Sequence, residues 1–190
     1  MKIKISILQV FVTVILVLLS CRAPEKLSKK YYTQNETTLK QINTLYNEIY
    51  NINPFILGFT DAKFRNYSLE VTTDSMRYIY NTSIMNFSVN DSILRFGLDS
   101  NRLSRLGKIM KKSRCICVAR HFFYWKEKKY AANWLFFRQA KTGLFKERKY
   151  HVLIFFREDL PDGLTPEFIS GEQLSLLKDH VYYTVSNRFK

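Results

Sequence analysis

The sequence predicts an α+β domain: an antiparallel sheet of about five to seven strands, with two or three helices packed mainly on one face. Apolar residues recur at three- and four-residue steps over residues 33–52 and again over 99–112, the period of one-sided helices. Between residues 115 and 157, three aromatic-rich apolar runs are separated only by short basic stretches, a spacing that joins antiparallel strands in a meander. Across its 190 residues the chain is 46% hydrophobic and holds only 6 Gly and 4 Pro, the composition of a globular chain rather than a disordered one. No internal repeat or low-complexity tract divides it.

The chain opens with Lys2 and Lys4, then about fifteen mostly apolar residues, then Ser20 and Cys21. A membrane-spanning helix needs roughly twenty apolar residues, and this run also carries Ser6, Gln9 and Thr13, so it reads as an export signal. Its ending, Leu18-Leu19-Ser20-Cys21, resembles the lipobox of bacterial lipoproteins. That resemblance implies cleavage before Cys21 and acylation of the cysteine with palmitate-type chains, giving a mature protein held at a membrane without crossing it. Each buried methylene of an acyl chain contributes about 0.8 kcal/mol, so two or three chains anchor durably. Arg22 stands where an aspartate retains enteric lipoproteins at the inner membrane, and no acidic cluster follows Cys21. The resemblance therefore implies the outer membrane, facing the periplasm.

Three regions follow: residues 1–20 a lipoprotein signal peptide, 21–34 a lipidated tether, and 35–190 a single α+β domain. Residues 22–34 have no convincing period and read as a flexible leash, whose Lys26, Lys29 and Lys30 either rest on anionic head groups or, as is commoner for exposed linker charges, are merely solvated. Thr33-x-x-Glu36 forms a capping box, after which Leu39, Ile42, Leu45, Tyr46, Ile49 and Ile52 form a stripe until Asn53-Pro54. Residues 63–71 alternate as a strand before a Thr-Thr-Asp-Ser turn. Residues 76–87 fit either period, and their Tyr, Ile, Thr and Asn content favours strands. Asn90-Asp91 predicts a turn and residues 93–96 a short strand. Asp99 predicts an N-cap for a helix to about Lys112.

The sheet core is expected in residues 115–125, 133–140 and 150–157, with Lys126 to Lys129 and residues 141–149 as loops at opposite ends. Leu160-Pro161-Asp162-Gly163 predicts a turn, and Thr165-Pro166 with Ser170-x-x-Gln173 a helix start running to Lys178. Residues 181–185 predict a closing strand.

The formal net charge is +14, of which residues 101–150 carry +13. Such an excess attracts anionic partners over a range that salt shortens. Nucleic acid is not expected for an exported chain; anionic lipid, lipopolysaccharide, acidic polysaccharide or acidic protein are the candidate partners. The anion-contact candidates are Arg102, Arg105, Lys108 and Lys112 on the predicted basic helix, and Lys126, Lys128 and Lys129 in the loop. A surface helix that covers a sheet with its apolar side shows the same layout.

With Cys21 assigned to lipid, Cys115 and Cys117 remain. On one face of a predicted strand their Cα atoms lie about 6.6 Å apart, the outer limit for a disulfide. His121 lies about 13 Å from Cys117, too far to share a metal ion. A thiol paired with His121, His151 or His180 is the sharpest enzymatic hypothesis, set against two inert buried thiols. Glu158, Asp159, Asp162 and Glu167 form an acidic stretch without a ligand rhythm. The aromatics Trp125, Trp134, Phe122, Phe123, Phe136 and Phe137 interleave with Arg120, Arg138 and Lys126; stacking of sugars is open, but alternation sends at least half of them to a core. No Gly-x-Ser-x-Gly, His-Glu-x-x-His or phosphate loop occurs. No cofactor and no metal ligand set is expected. The functional expectation is a lipid-anchored envelope protein, a non-enzymatic binding or structural module. A small Cys/His hydrolase of cell-wall or glycan material and an accessory subunit of a larger envelope complex are the alternatives.

Overall fold

A computed structural model describes residues 23–83, 95–140, 149–158 and 174–186. The expected export signal, Cys21, the expected Asn90-Asp91 turn, Asp159, Asp162, Glu167 and the expected helix start at 165–173 lie outside the described residues. Among the described residues, two helices, α1 (Ala23–Tyr50) and α2 (Ser100–Ser113), accompany eight strands: β1 (Phe55–Phe59), β2 (Asn66–Thr72), β3 (Arg77–Ser83), β4 (Cys117–Trp125), β5 (Lys128–Ala140), β6 (Lys149–Phe156), β7 (Ser175–Lys178) and β8 (Val181–Ser186). One antiparallel sheet holds them in the order β3-β2-β1-β4-β5-β6-β8-β7. The α+β class is as expected; the strand count exceeds the expected five to seven. The extra strands are β1, which Asn53-Pro54 hid as a helix stop, and β7, which sits where a helix to Lys178 was expected. At β7, pairing with β8 (Leu176 opposite Tyr182) overrides the local helix signal.

Helix α1 starts ten residues before its expected capping box. The leash expected over residues 21–34 is therefore helical from Ala23 onward, with Pro24 tolerated in the first turn. Ser28 and Tyr32 are buried there, in line with Asn35, Leu39, Ile42, Tyr46 and Ile49 at helical spacing. The polar Ser28 and the two tyrosines concealed that stripe. Burying Leu39, Ile42 and Ile49 contributes about 1.5–3 kcal/mol each. Glu36 does not cap the helix but pairs with Lys40 (2.8 Å) and with Lys178 of β7 (3.1 Å).

Helix α2 begins where expected. Asp99 accepts from the backbone N–H groups of Asn101 (2.8 Å) and Arg102 (3.2 Å), and Arg114 ends the helix in a left-handed conformation, φ 58°. Residues 95–97 form a turn rather than the expected strand end. Gly107 lets α2 approach the sheet closely: a Cβ there would lie 3.1 Å from the Tyr67 ring. Both helices cover the face that presents Phe55, Leu57, Tyr67, Leu69, Val118, Leu135, Leu153 and Phe155. The other face carries a separate cluster of Cys117, Ala132, Trp134, Phe136, Val152 and Ile154.

The β4–β5 hairpin turns on Lys126 and Glu127 alone, both at positive φ (43° and 65°), the tight geometry that matches strand twist. Strand β5 thus begins at Lys128, not at Asn133. Strand alternation places Phe136 on one face and Phe137 on the other, and a bulge between Phe136 and Arg138 then shifts the register so that Arg138 pairs with His151. No described helix is long and apolar enough to cross a membrane.

Candidate functional site

Helix α2 buries Leu103, Leu106 and Met110 and exposes Arg102, Arg105, Lys108, Lys111 and Lys112. The four expected contacts on this helix share its solvent side. Arg102 lies 3.7 Å from Asp99, while Arg105, Lys108 and Lys112 enter no ion pair among the described residues. Lysines in the last turn also suit the negative end of the helix dipole.

Lys126, Lys128 and Lys129 sit elsewhere. Strand β4 leaves directly from the end of α2, and eight residue steps carry it about 26 Å to the hairpin. That exceeds the screening length of about 8–10 Å at ordinary ionic strength, so the hairpin lysines act independently of Lys111 and Lys112 at the end of α2. At the hairpin, Lys128 pairs with Glu158 at 2.9 Å and sits over the Tyr130 ring, and Lys129 lies 4.0 Å from the centre of the Phe122 ring. These lysines are partly satisfied locally, unlike those on α2.

A second cationic cluster was not visible in the sequence. Tyr31 donates its hydroxyl to the Ser113 carbonyl at 2.9 Å, and its ring stacks on Phe137 at 3.9 Å. This single side chain ties the start of α1 to the end of α2 and to the far end of β5. The stretch of α1 that carries Lys29 and Lys30 therefore meets the end of α2 that carries Lys111, Lys112 and Arg114, although about eighty residues separate them in the chain. The hidden signal was the Tyr31–Tyr32 pair, which marks packed helix rather than leash.

Beneath α1 lies a buried polar network. Arg120, 9% exposed, donates Nε to Asn133 Oδ1 at 2.9 Å and a terminal N–H to Asn47 Oδ1. Asn133 Nδ2 donates to Asn43 (2.7 Å) and Asn47 (2.8 Å). The Tyr50 ring lies 3.9 Å from the guanidinium carbon. Burial, reinforced by the Arg157 charge, holds the Arg120 guanidinium below its usual pKa. No described carboxylate pairs with Arg120, so neutral amides and a ring face carry its charge, an arrangement that fixes α1 on the sheet.

The thiols depart from expectation. Cys115 precedes β4 and packs among the helix-side core, whereas Cys117 belongs to the cluster on the opposite face. They do not share a strand face, and neither is in a disulfide. The Cys115 thiol donates to the Cys117 carbonyl at 3.4 Å. Burial pushes the Cys115 thiol up to about 12 and Cys117 well above its usual range, the opposite of nucleophile activation. His121 packs against Trp134 at 4.3 Å; His151 is buried beside Phe137, its pKa lowered by burial and then by Arg138. His180 is exposed in the β7–β8 turn. Trp134 and Phe136 belong to one core and Phe137 to the other, while Phe122 remains exposed.

Among the described residues, no group of three His, Cys, Asp or Glu side chains could hold a metal ion. A concavity of about 610 Å³ runs along α1 beside α2, lined by Thr33, Gln41, Thr44, Glu48, Arg105 and Ile109. A smaller one of about 80 Å³ lies over Gly58 and Cys117 beside Glu70, whose carboxylate is held by Arg77. In the smaller one burial and the neighbouring charges hold the Cys117 thiol protonated, and Arg77 engages the Glu70 carboxylate, so the pair is not set up as nucleophile and base. No protein-family model matches the chain, and neither curated proteins nor solved structures give a match.

Proposed function

We propose that the chain is a lipid-anchored protein of the cell envelope, acylated on Cys21 and facing the periplasm from the outer membrane, that works as a non-enzymatic binding or structural module. Its contact region lies within residues 101–150, and its partners are anionic: phospholipid, lipopolysaccharide, acidic polysaccharide or acidic protein. The observation that carries this reading is the exposed row of Lys108, Lys111 and Lys112 on α2, which no described carboxylate neutralises, in a chain that opens with a lipobox-like export signal. Buried, high-pKa thiols leave the Cys/His hydrolase reading without an activated nucleophile.

Metabolic labelling with a palmitate analogue tests the anchor. The full chain is expected to take the label and fractionate with membranes, and Cys21→Ala is expected to lose both. Label retained in Cys21→Ala, or a wild-type chain recovered unlabelled, would reject the lipoprotein reading.

A further inference from the structure

We infer that the end of the domain where α1 starts and α2 stops is a docking face for an anionic phospholipid bilayer, and that the protein rests on the membrane in one orientation instead of swinging on a leash. The orientation rests on the lipoprotein reading; the face stands on its own geometry. Tyr31 brings the three elements together through Ser113 and Phe137. The first turns of α1 contribute Lys26, Lys29 and Lys30. The end of α2 contributes Lys111, Lys112 and its cap residue Arg114. Arg138 follows Phe137 on β5, and Lys149 opens β6 opposite Ala140.

All of these side chains are exposed, and among the described residues none enters an ion pair. The one carboxylate in the same stretches is Glu25. The hairpin end differs, because there Glu158 and two aromatic rings engage the lysines. Each basic side chain near an anionic leaflet strengthens attachment about fivefold, so a cluster of this size is sufficient for selective adsorption.

Position selects a bilayer over a diffusing anion. Helix α1 already includes Ala23, which lies two residues after Cys21 in the sequence. A helix at that position, packed from Ser28 onward, delivers the basic end to the plane that acyl chains would enter. The two features point the same way, since the cations surround the helix end nearest the anchor.

The chain from residue 21 onward, with Cys21→Ser to prevent acylation, contains every described element and both core clusters. Its co-sedimentation with vesicles of phosphatidylglycerol in phosphatidylcholine, compared with phosphatidylcholine alone, tests the face. Selective attachment at about 50 mM salt that weakens more than tenfold by about 300 mM is expected. Lys26→Glu, Lys29→Glu and Lys30→Glu together are expected to lower attachment about a hundredfold or more. Glutamates suit a helix start, so this variant keeps its fold by circular dichroism. Lys111→Glu, Lys112→Glu and Arg114→Glu should give a similar loss by an independent route. Arg102→Glu with Arg105→Glu, and Lys128→Glu with Lys129→Glu, should stay within about threefold of the parent.

Equal attachment to neutral vesicles would overturn the proposal. So would equal losses from the Arg102/Arg105 pair and the end variants, or attachment to lipopolysaccharide without attachment to phosphatidylglycerol. A Cys21 that takes no palmitate label removes the anchor, and the vesicle comparison still decides the face.

Discussion

Arg120 and Asn133 carry the most consequential local arrangement. The guanidinium is largely removed from water, yet among the described residues amide oxygens and the faces of Tyr50 and Tyr46 receive it. Asn133→Ala would take the acceptor from Arg120 Nε and leave a buried charge short of a partner. It is expected to cost about 2–4 kcal/mol in urea unfolding. Arg120→Met removes the charge itself and leaves Asn133 bonded to Asn43 and Asn47, so it is expected to cost less. The reverse order would mean that packing against Tyr50, rather than satisfaction of the charge, is what the network contributes. The asparagines were legible as helix and strand residues but not as a network. Only the packing of α1 across the sheet brings Asn43 and Asn47 to Asn133, from about ninety residues away in the chain.

Elements meet closely at one point, where α2 crosses β2. Gly107 faces the Tyr67 ring with room for a hydrogen but not comfortably for a methyl. A non-glycine residue in a helix interior ordinarily gains a few tenths of a kcal/mol or more, and here overpacking opposes that gain. Gly107→Val is expected to lower stability by about 1–3 kcal/mol, with most of the loss recovered in a Tyr67→Leu background. Thermal melts of the two single variants and the double variant check this, and simple additivity would refute the clash. Period and cap made α2 readable to within a residue or two. They found α1 from residue 33 onward but missed residues 23–32, where Ser28 and Tyr32 look polar in sequence and are buried in the fold. They failed again for β7, whose identity depends on its partner strand.

For the whole molecule, buried ionisable groups set the pH range of stability. Burial pushes Tyr46 and Cys117 well above their usual values and Cys115 to about 12. In the unfolded chain these groups lose protons near pH 8.5–10, while the folded chain retains them. Their contribution is therefore complete below about pH 8.5 and is lost as pH rises toward 12. His151 works in the other direction, since burial holds its pKa below that of the unfolded chain. Its contribution is present above about pH 6.5 and is lost as pH falls through the folded value. Melting temperature is expected to be highest between about pH 6.5 and 8.5 and to fall on both sides. A melting temperature that stays level from pH 8 to 11 would contradict the alkaline limb, and His151→Gln should flatten the acid limb.

Residue order by itself determined the α+β class, the Asp99 N-cap of α2, the concentration of charge in residues 101–150 and the lipobox-like start. These rest on composition and on contacts within a few residues, which a linear reading captures. Tertiary structure alone decided the rest: the helical state of residues 23–32, the separation of Cys115 and Cys117 onto opposite faces, and the separation of the hairpin lysines from those at the end of α2. Each depends on which elements pack together. The Tyr31 contacts with Ser113 and Phe137 span most of the domain, and no local period encodes a partner about eighty or a hundred residues away.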